Sequence, residues 1–221
     1  AAGLTGFRYA RTFDYCEVAL PESMAAYEAQ LSKSTHSNFR RQQKAMVGKV
    51  DISYLQSSDS DALHDWLDTF FQLHERRWHD VGQPGSFAKQ PLLQPFYRRF
   101  APVALAKGWL RLYQLSIDGT PVAAQFCYEF GDRLLCVQEG FDPAGPSGSG
   151  NILRRAVIND CIEAGLGTYD FLAHSSAHKR RWRGESRAGQ ALFMGTRRWS
   201  NLALQWLAFW PTGRFIRHRR P

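Results

Sequence analysis

A loop of small residues, AGPSGSG at positions 144–150, precedes a stretch with helical hydrophobic spacing. Serine and asparagine in and after this loop are residue types that cap helix starts. Backbone N–H groups at such a start can bind phosphate without a charged side chain, and Arg154 and Arg155 either assist from the first turns or face water. A plain capped helix fits the same pattern. The candidate donor-binding residues are Ser147, Gly148, Ser149, Gly150, Asn151 and Arg154.

The loop belongs to a predicted unit of strand, loop, helix and strand. Residues 133–141 alternate as a strand, residues 151–164 carry an apolar helical stripe that stops at Gly165, and residues 169–172 form a return strand. In such a unit the helix N-terminus lies at the far end of the first strand, where anions bind most readily.

Residues 109–141 predict a three-stranded meander, because Asp-Gly and Gly-Asp pairs mark two tight turns. Two-residue turns would place Gln125 opposite Gln138 on one face, and Glu139 in a row with Tyr113 on the other. Polar side chains on central strands need partners, so these glutamines and the glutamate are candidate site residues. A structural polar pair and a solvent-facing glutamate are the alternatives.

Residues 57–82 give the clearest amphipathic helix of the chain. His74 lies in its apolar stripe, which favours a core histidine over a ligand. Trp78 shares that face and is a substrate-binding candidate together with Gln125 and Gln138.

The composition is that of an ordinary globular chain of one large or two small domains. Its 221 residues are 44% hydrophobic and 22% charged, and the net charge is +8. A basic balance favours anionic partners, such as a CoA-type phosphate, a nucleotide-linked sugar, RNA or an acidic membrane, or only a basic solubilising surface. The basic residues form separate clusters around Arg40, Lys179 and Arg214, and nothing in the sequence shows that these clusters share a face.

The four cysteines form neither a CxxC pair nor a zinc spacing, so we expect reduced thiols, a cytoplasmic protein and no metal. The meander register places Cys127 opposite Cys136. Residues 199–210, a tryptophan-rich apolar helix followed by a basic tail, predict a closing helix or, alternatively, a peripheral membrane contact.

Several segments together carry a family resemblance: HERRWHDVGQPGSF (74–87), WLRLYQLSIDGTPVAAQF (109–126), GFDP (140–143), YDFL (169–172) and HKRRW (178–182). In this order they resemble the acetyltransferase domain of the FemAB-like branch of the GNAT superfamily, of the cellulose- or polysaccharide-biosynthesis type. The resemblance implies an α/β (α+β) fold with a GNAT-like mixed, mainly antiparallel sheet and helices on both faces.

The resemblance also implies roles for residues late in the chain. Lys179, in a pattern like the aromatic-Lys-x-x-aromatic pattern of aminoacyl-transferring relatives, is expected to polarise the acyl carbonyl or clamp the donor, although His178 replaces the usual aromatic. Asp170 is expected to orient the lysine or the acceptor. His174, where relatives tend to have glycine, could serve as the base because histidine titrates near neutrality, and Glu139 is the alternative base. No nucleophile elbow is present, which favours direct transfer.

The predicted function is transfer of an acyl group, acetyl above all, from a CoA thioester to an amine or hydroxyl of a sugar or small molecule in envelope or exopolysaccharide metabolism. The alternatives are a FemAB-type transferase that uses aminoacyl-tRNA and a non-catalytic module that binds an anionic partner. Nucleic acid is not the expected partner, whereas an upstream domain of the same protein is. The expected divisions are residues 1–58 (linker strand and helices), 59–198 (GNAT-like domain) and 199–221 (helix and tail).

Overall fold

Seven strands form one sheet in the computed structural model, which describes residues 8–172 and 174–194. Five strand pairs have a defined register: four are antiparallel, and one, between the strands Arg133–Phe141 and Thr168–Asp170, is parallel. This confirms the predicted mixed, mainly antiparallel α/β fold. In spatial order the strands are β2 (Val50–Tyr54), β3 (Leu110–Ile117), β4 (Thr120–Phe130), β5 (Arg133–Phe141), β6 (Thr168–Asp170), β1 (Arg8–Ala19) and β7 (Glu185–Met194).

Helices cover both faces of this sheet, as predicted. One core packs the helix Ser149–Glu163 against β3, β4 and β5, and a second packs the helices Leu63–Asp80 and Leu93–Ala106 against the opposite face of the same strands. None of the helices in the described part of the chain is long and apolar enough to cross a membrane. The helices are α1 (Met24–Ala29), α2 (Lys33–Ala45), α3 (Leu63–Asp80), α4 (Ser86–Lys89), α5 (Leu93–Ala106), α6 (Ser149–Glu163) and α7 (Ala177–Arg181), with a 3₁₀ helix at Ser57–Ala62.

Helix α1 starts later than the sequence suggests. Proline is favoured at the first position of a helix, which predicts a start at Pro21. The helix instead starts at Met24, because the Ser23 side chain caps it by accepting a hydrogen bond from the Ala26 N–H at 3.2 Å. A serine cap satisfies one of the N–H groups that a helix start leaves without a partner, so the chain enters the helix there.

The chain divides into two compact units. The larger is Asp14–Arg187, and it contains every helix named above and every site residue discussed below. The smaller contains Ala1–Phe13 and Ala188–Pro221. Of these the structure describes residues 8–13, which belong to β1, and residues 188–194, which belong to β7. The helix and basic tail predicted for residues 199–221 lie outside the described residues.

Two β-bulges change the predicted register of the meander. Near the second turn the register is as expected, and Cys127 lies opposite Cys136, with both thiols free. One step further the pairing shifts, so that Gln125 lies opposite Glu139. The predicted pairing of Gln125 with Gln138 is therefore wrong, because a bulge puts two residues of one strand opposite one residue of its partner.

Strands β5 and β6 pair over only three residues, from Arg133–Leu135 to Thr168–Asp170. Beyond that point β5 continues to Phe141 with β4 still paired along its other edge, and α6 begins beside its end. Helix α3 approaches the same end closely: a Cβ atom on Gly140 would lie 2.3 Å from the backbone nitrogen of His74. Only glycine allows this approach, which brings the polar side of α3 next to the end of β5.

Candidate functional site

A cleft of about 730 Å³ opens where β5 separates from β6. Its walls come from the start of α6, the end of β5, α3, α2 and α7, and all of these belong to the larger unit. Another cavity among the described residues, between α3 and α5, measures about 480 Å³. The six predicted donor-binding residues, Ser147, Gly148, Ser149, Gly150, Asn151 and Arg154, all line the larger cleft.

The start of α6 is open to a ligand. Gly148 is its N-cap with φ of +91°, and no side chain caps the helix at this end. A Cβ atom on Gly148 would lie 2.3 Å from Cδ of Gln42, so α2 approaches the loop closely. Asn151 Nδ2 donates to Oε1 of the same glutamine at 3.3 Å. The partial positive charge of the helix N-terminus therefore faces the cleft without a competing side-chain acceptor.

Glu139 lies between two arginines at the floor of the cleft, and we call Arg77, Glu139 and Arg154 the arginine–glutamate cluster. The Glu139 carboxylate accepts a hydrogen bond at 3.0 Å from Arg77 and another from Arg154. Gln125 Nε2 approaches the same carboxylate at 3.5 Å. Arg154 is only 2% exposed, so the glutamate compensates a cation that is withdrawn from water.

The cluster keeps Glu139 ionised. Burial acts to raise the pKa of its carboxyl, but Arg154 and Arg77 outweigh burial and lower the pKa to about 2. A carboxylate with so low a pKa is a weak base near neutral pH. The setting of Glu139 therefore suits the holding of Arg154 better than the removal of a proton.

His178 and Lys179, both on α7, also line the cleft. His178 Nε2 lies 3.3 Å from Nη1 of Arg154 and 3.5 Å from Oδ1 of Asn151. Burial, and then Arg154, lower the pKa of His178 to about 4, so this imidazole is neutral near pH 7. Lys179 Nζ donates to the carbonyl oxygen of Phe171 at 3.3 Å, and burial lowers its pKa.

Two of the predicted catalytic residues lie away from the cleft lining. Asp170 is buried on β6, where its carboxylate accepts the Leu172 N–H at 2.7 Å and lies 3.9 Å from Arg133. Burial raises the pKa of this carboxyl. His174 is exposed beyond the end of β6. The structure thus brings Lys179 and Glu139 into the cleft but not Asp170 or His174.

The predicted substrate-binding residues lie behind the cleft rather than in its lining. Gln125 is buried, and its Oε1 accepts from the hydroxyl of Tyr169 at 3.3 Å. Gln138 Nε2 donates to Ser86 Oγ at 3.2 Å on the α3 side of the sheet. Trp78 Nε1 donates to Nε2 of His74 at 3.1 Å, which supports the prediction that His74 is a core histidine.

Sequence reasoning missed Arg77 and Gln42, and it did not place His178 in the cleft. The one sequence signal for Arg77 is that it precedes the candidate Trp78. In the structure its guanidinium lies over both the Trp78 and Phe141 rings. Gln42 carries no local signal at all, because only the approach of α2 to Gly148 puts it there.

Two of the predicted basic clusters meet at this cleft. The Phe39 ring of α2 packs against Trp182, just after α7, with ring centroids 4.9 Å apart. We call the exposed cations of the two segments that meet in this contact the basic rim. It consists of Arg40, Arg41, Lys44, Arg180, Arg181 and Arg183. The third cluster, at residues 214–220, lies outside the described residues.

Comparison with known proteins identifies a family. A family model described as an acetyltransferase (GNAT) domain matches residues 33–180. The search of curated proteins gave no match.

Solved structures share the fold. FemX superposes with a TM-score of 0.64 at 10% identity, over 88% of this chain and 63% of that one. The C-terminal domain (DUF2156) of a protein assigned as a lysylphosphatidylglycerol synthetase from Agrobacterium fabrum gives 0.56 at 14% identity, over 90% and 65%. L-PGS from Bacillus licheniformis gives 0.53 at 12%, over 88% and 65%. The chain thus spans less than two thirds of each of these structures, and at such identities the likeness shows the fold alone.

Proposed function

The chain belongs to the acetyltransferase (GNAT) domain family, and on that premise we propose that it transfers an acetyl or other acyl group from a coenzyme A thioester to an amine or hydroxyl. The acceptor we propose is a sugar or small molecule of envelope or exopolysaccharide metabolism, as the sequence resemblance implies. One observation carries the proposal. The uncapped start of α6 and the side chain of Lys179 line the same cleft.

The donor's pyrophosphate fits the start of α6. The N–H group of Gly150 and the helix dipole supply positive potential there. The N–H groups of Ser149 and Asn151 already donate to the carbonyl oxygens of Pro146 and Gly148, at 3.2 and 2.9 Å. Gly148 has no side chain to project from this surface. Any side chain at its φ of +91° would be strained and would press on Gln42.

Lys179 is the group we assign to the acyl carbonyl. As the acceptor's nitrogen or oxygen bonds to the carbonyl carbon, an electron pair moves onto the carbonyl oxygen, and a fixed cation in a cleft stabilises that charge. The C–S bond then breaks and the sulfur takes the electron pair. The acceptor loses one proton and the departing thiol gains one, so the exchange balances without a covalent enzyme intermediate.

The arginine–glutamate cluster is assigned a positioning role. Glu139 holds Arg154 through a charge-assisted hydrogen bond, and the Arg154 guanidinium also lies 5.2 Å from the Trp182 ring centroid. These contacts hold the Arg154 side chain in a fixed position in the cleft lining, to which Lys179 also belongs.

Thermal unfolding with acetyl-CoA tests the proposal. A ligand at 100 times its dissociation constant adds about 2.7 kcal/mol to the unfolding free energy, so the melting temperature should rise with acetyl-CoA concentration. CoA should stabilise too, because it carries the same phosphates. If neither compound raises the melting temperature at millimolar concentration, the CoA donor is excluded.

Aminoacyl-tRNA is the second candidate donor, and the basic rim is the observation that favours it. Six exposed cations beside the cleft would give a polyanion a longer track than a pyrophosphate needs. Binding through such a track weakens steeply as salt releases counterions, on the order of a thousandfold or more between 50 and 200 mM for six contacts. Tight tRNA binding with that salt dependence, and no acetyl-CoA binding, would select this donor.

A further inference from the structure

His178 is a histidine whose surroundings determine its tautomer. Its Nε2 atom lies 3.3 Å from Nη1 of Arg154. Arginine has five N–H donors and no acceptor, so Nε2 accepts in this contact. The other neighbour of Nε2 is Oδ1 of Asn151, which lies farther away at 3.5 Å and already accepts from Nη1 of Arg154 at 3.4 Å. We therefore assign Nε2 as the acceptor of the shorter contact. A neutral imidazole that accepts at Nε2 carries its proton on Nδ1.

Charges around the ring keep it neutral. Arg154 from α6, Arg77 from α3 and Arg181 from α7 all oppose protonation, whereas Glu139 from β5 favours it. Burial opposes protonation more strongly than any of these charges. The imidazole therefore stays neutral across the range in which an ordinary histidine titrates.

Arg154 is itself held rigidly. Glu139 accepts one of its hydrogen bonds, and the rings of Phe171 and Trp182 lie 5.6 and 5.2 Å from its Cζ atom. Ser176 caps the short helix α7 by accepting from the Lys179 N–H, which fixes the backbone on which His178 stands. The orientation of the imidazole is thus determined before any ligand binds.

We propose that His178 is a catalytic residue that presents Nδ1–H in the cleft as a neutral hydrogen-bond donor to the carbonyl oxygen of the acyl group. The inference rests on the proposed acyl transfer and adds a second donor beside Lys179, the next residue of α7. During attack the carbonyl oxygen gains an electron pair, and Nδ1–H stabilises it without transferring its proton. A neutral donor suits this position, because a third cation beside Lys179 and Arg154 would be repelled.

Two substitutions separate the two nitrogens of the ring. In H178N the amide Nδ2 takes the approximate place of Nδ1, whereas in H178Q the amide oxygen takes the place of Nε2 and no donor remains near Nδ1. We expect H178Q to lose about a hundredfold in kcat, the typical cost of one such donor, with the KM for acetyl-CoA within about threefold of wild type. H178N should retain about tenfold more activity than H178Q. His64, an exposed residue on α3 outside the cleft, provides the control variant H64Q. Equal activity of H178N and H178Q would overturn the proposal.

Nitrogen-15 NMR of the imidazole tests the geometry without turnover. We expect the Nδ1–H tautomer between pH 5.5 and 8, with no titration. A CoA analogue in which CH₂ replaces the thioester sulfur keeps the carbonyl, and it should shift the Nδ1–H resonance while CoA alone does not. An Nε2–H tautomer, titration near pH 6.5, or equal shifts with both compounds would refute the role of His178. If neither compound binds, the CoA donor is refuted instead. The tautomer of His178, which is measured without ligand, still tests the first step of the proposal.

Discussion

Replacement of Glu139 by glutamine should destabilise the protein by about 3 kcal/mol at pH 7. The arginines lower the pKa of this carboxyl from 4.5 to about 2, and each pKa unit corresponds to about 1.4 kcal/mol. An independent estimate agrees, since removal of one partner of a buried ion pair costs about 3–5 kcal/mol. The lower end applies, because Glu139 is 23% exposed while Arg154 is almost fully buried.

The same pKa determines how the contribution of Glu139 to the free energy of unfolding depends on pH. The unfolded chain binds a proton at Glu139 near pH 4.5, whereas the folded protein does so only near pH 2. The stabilisation is therefore complete above about pH 4.5 and is lost as the pH falls towards 2. Wild type should lose about 3 kcal/mol over that interval through this group, and E139Q should not.

Urea unfolding at pH 7, 4.5 and 3, followed by circular dichroism, measures both effects. E129Q is the matched control. Glu129 pairs with Arg111 at 2.8 Å and is about as exposed as Glu139, but Arg111 is 28% exposed rather than buried, so its loss should cost less than about 1 kcal/mol. Two results would refute the assignment of Glu139 as the partner of a buried cation. One is equal unfolding free energies for E139Q and E129Q at pH 7. The other is a fall in the unfolding free energy of E139Q between pH 4.5 and 3 as large as that of wild type.

Three further predictions concern single residues. K179A should lower kcat about a hundredfold. K179R should recover little of this loss, because the arginine guanidinium and the lysine ammonium differ in shape and reach. Unchanged steady-state kinetics in K179A would show that the lysine takes no part in the reaction. G148A and G165A both put a side chain at positive φ and should each cost at least about 1 kcal/mol in melting experiments, and G148A should cost more because its Cβ atom would press on Gln42 while Gly165 has open space. Only G148A should weaken acetyl-CoA binding, because Gly165 lies outside the cleft. Cys127 and Cys136, both buried, should react with a thiol reagent only in denaturant, and labelling of the native protein in a mass spectrum would contradict their placement.

Local patterns in the sequence are enough to predict the elements that build the cleft. The Asp-Gly turn sets the first hairpin, and the glycine-rich loop followed by an apolar stripe sets α6. Arg77 could not be found in this way. On α3 it lies on the polar side, which ordinarily faces water, and it becomes a site residue because Gly140 lets α3 approach β5. That is a property of tertiary packing, which no single helix pattern encodes.

The two bulges explain why the Glu139 row was only partly predictable. Val122 and Ala123 both lie in the core on the α6 side, so β4 advances by one residue against β3. Val137 adds a compensating residue on β5, because consecutive strand residues normally face opposite sides. Tyr113 and Glu139 therefore stay in one row, as the turns predict, but the β4 residue between them is Gln125 instead of Ala124. Valine is an ordinary strand residue, so neither bulge leaves a mark in the sequence, yet together they put an amide next to the carboxylate that holds Arg154.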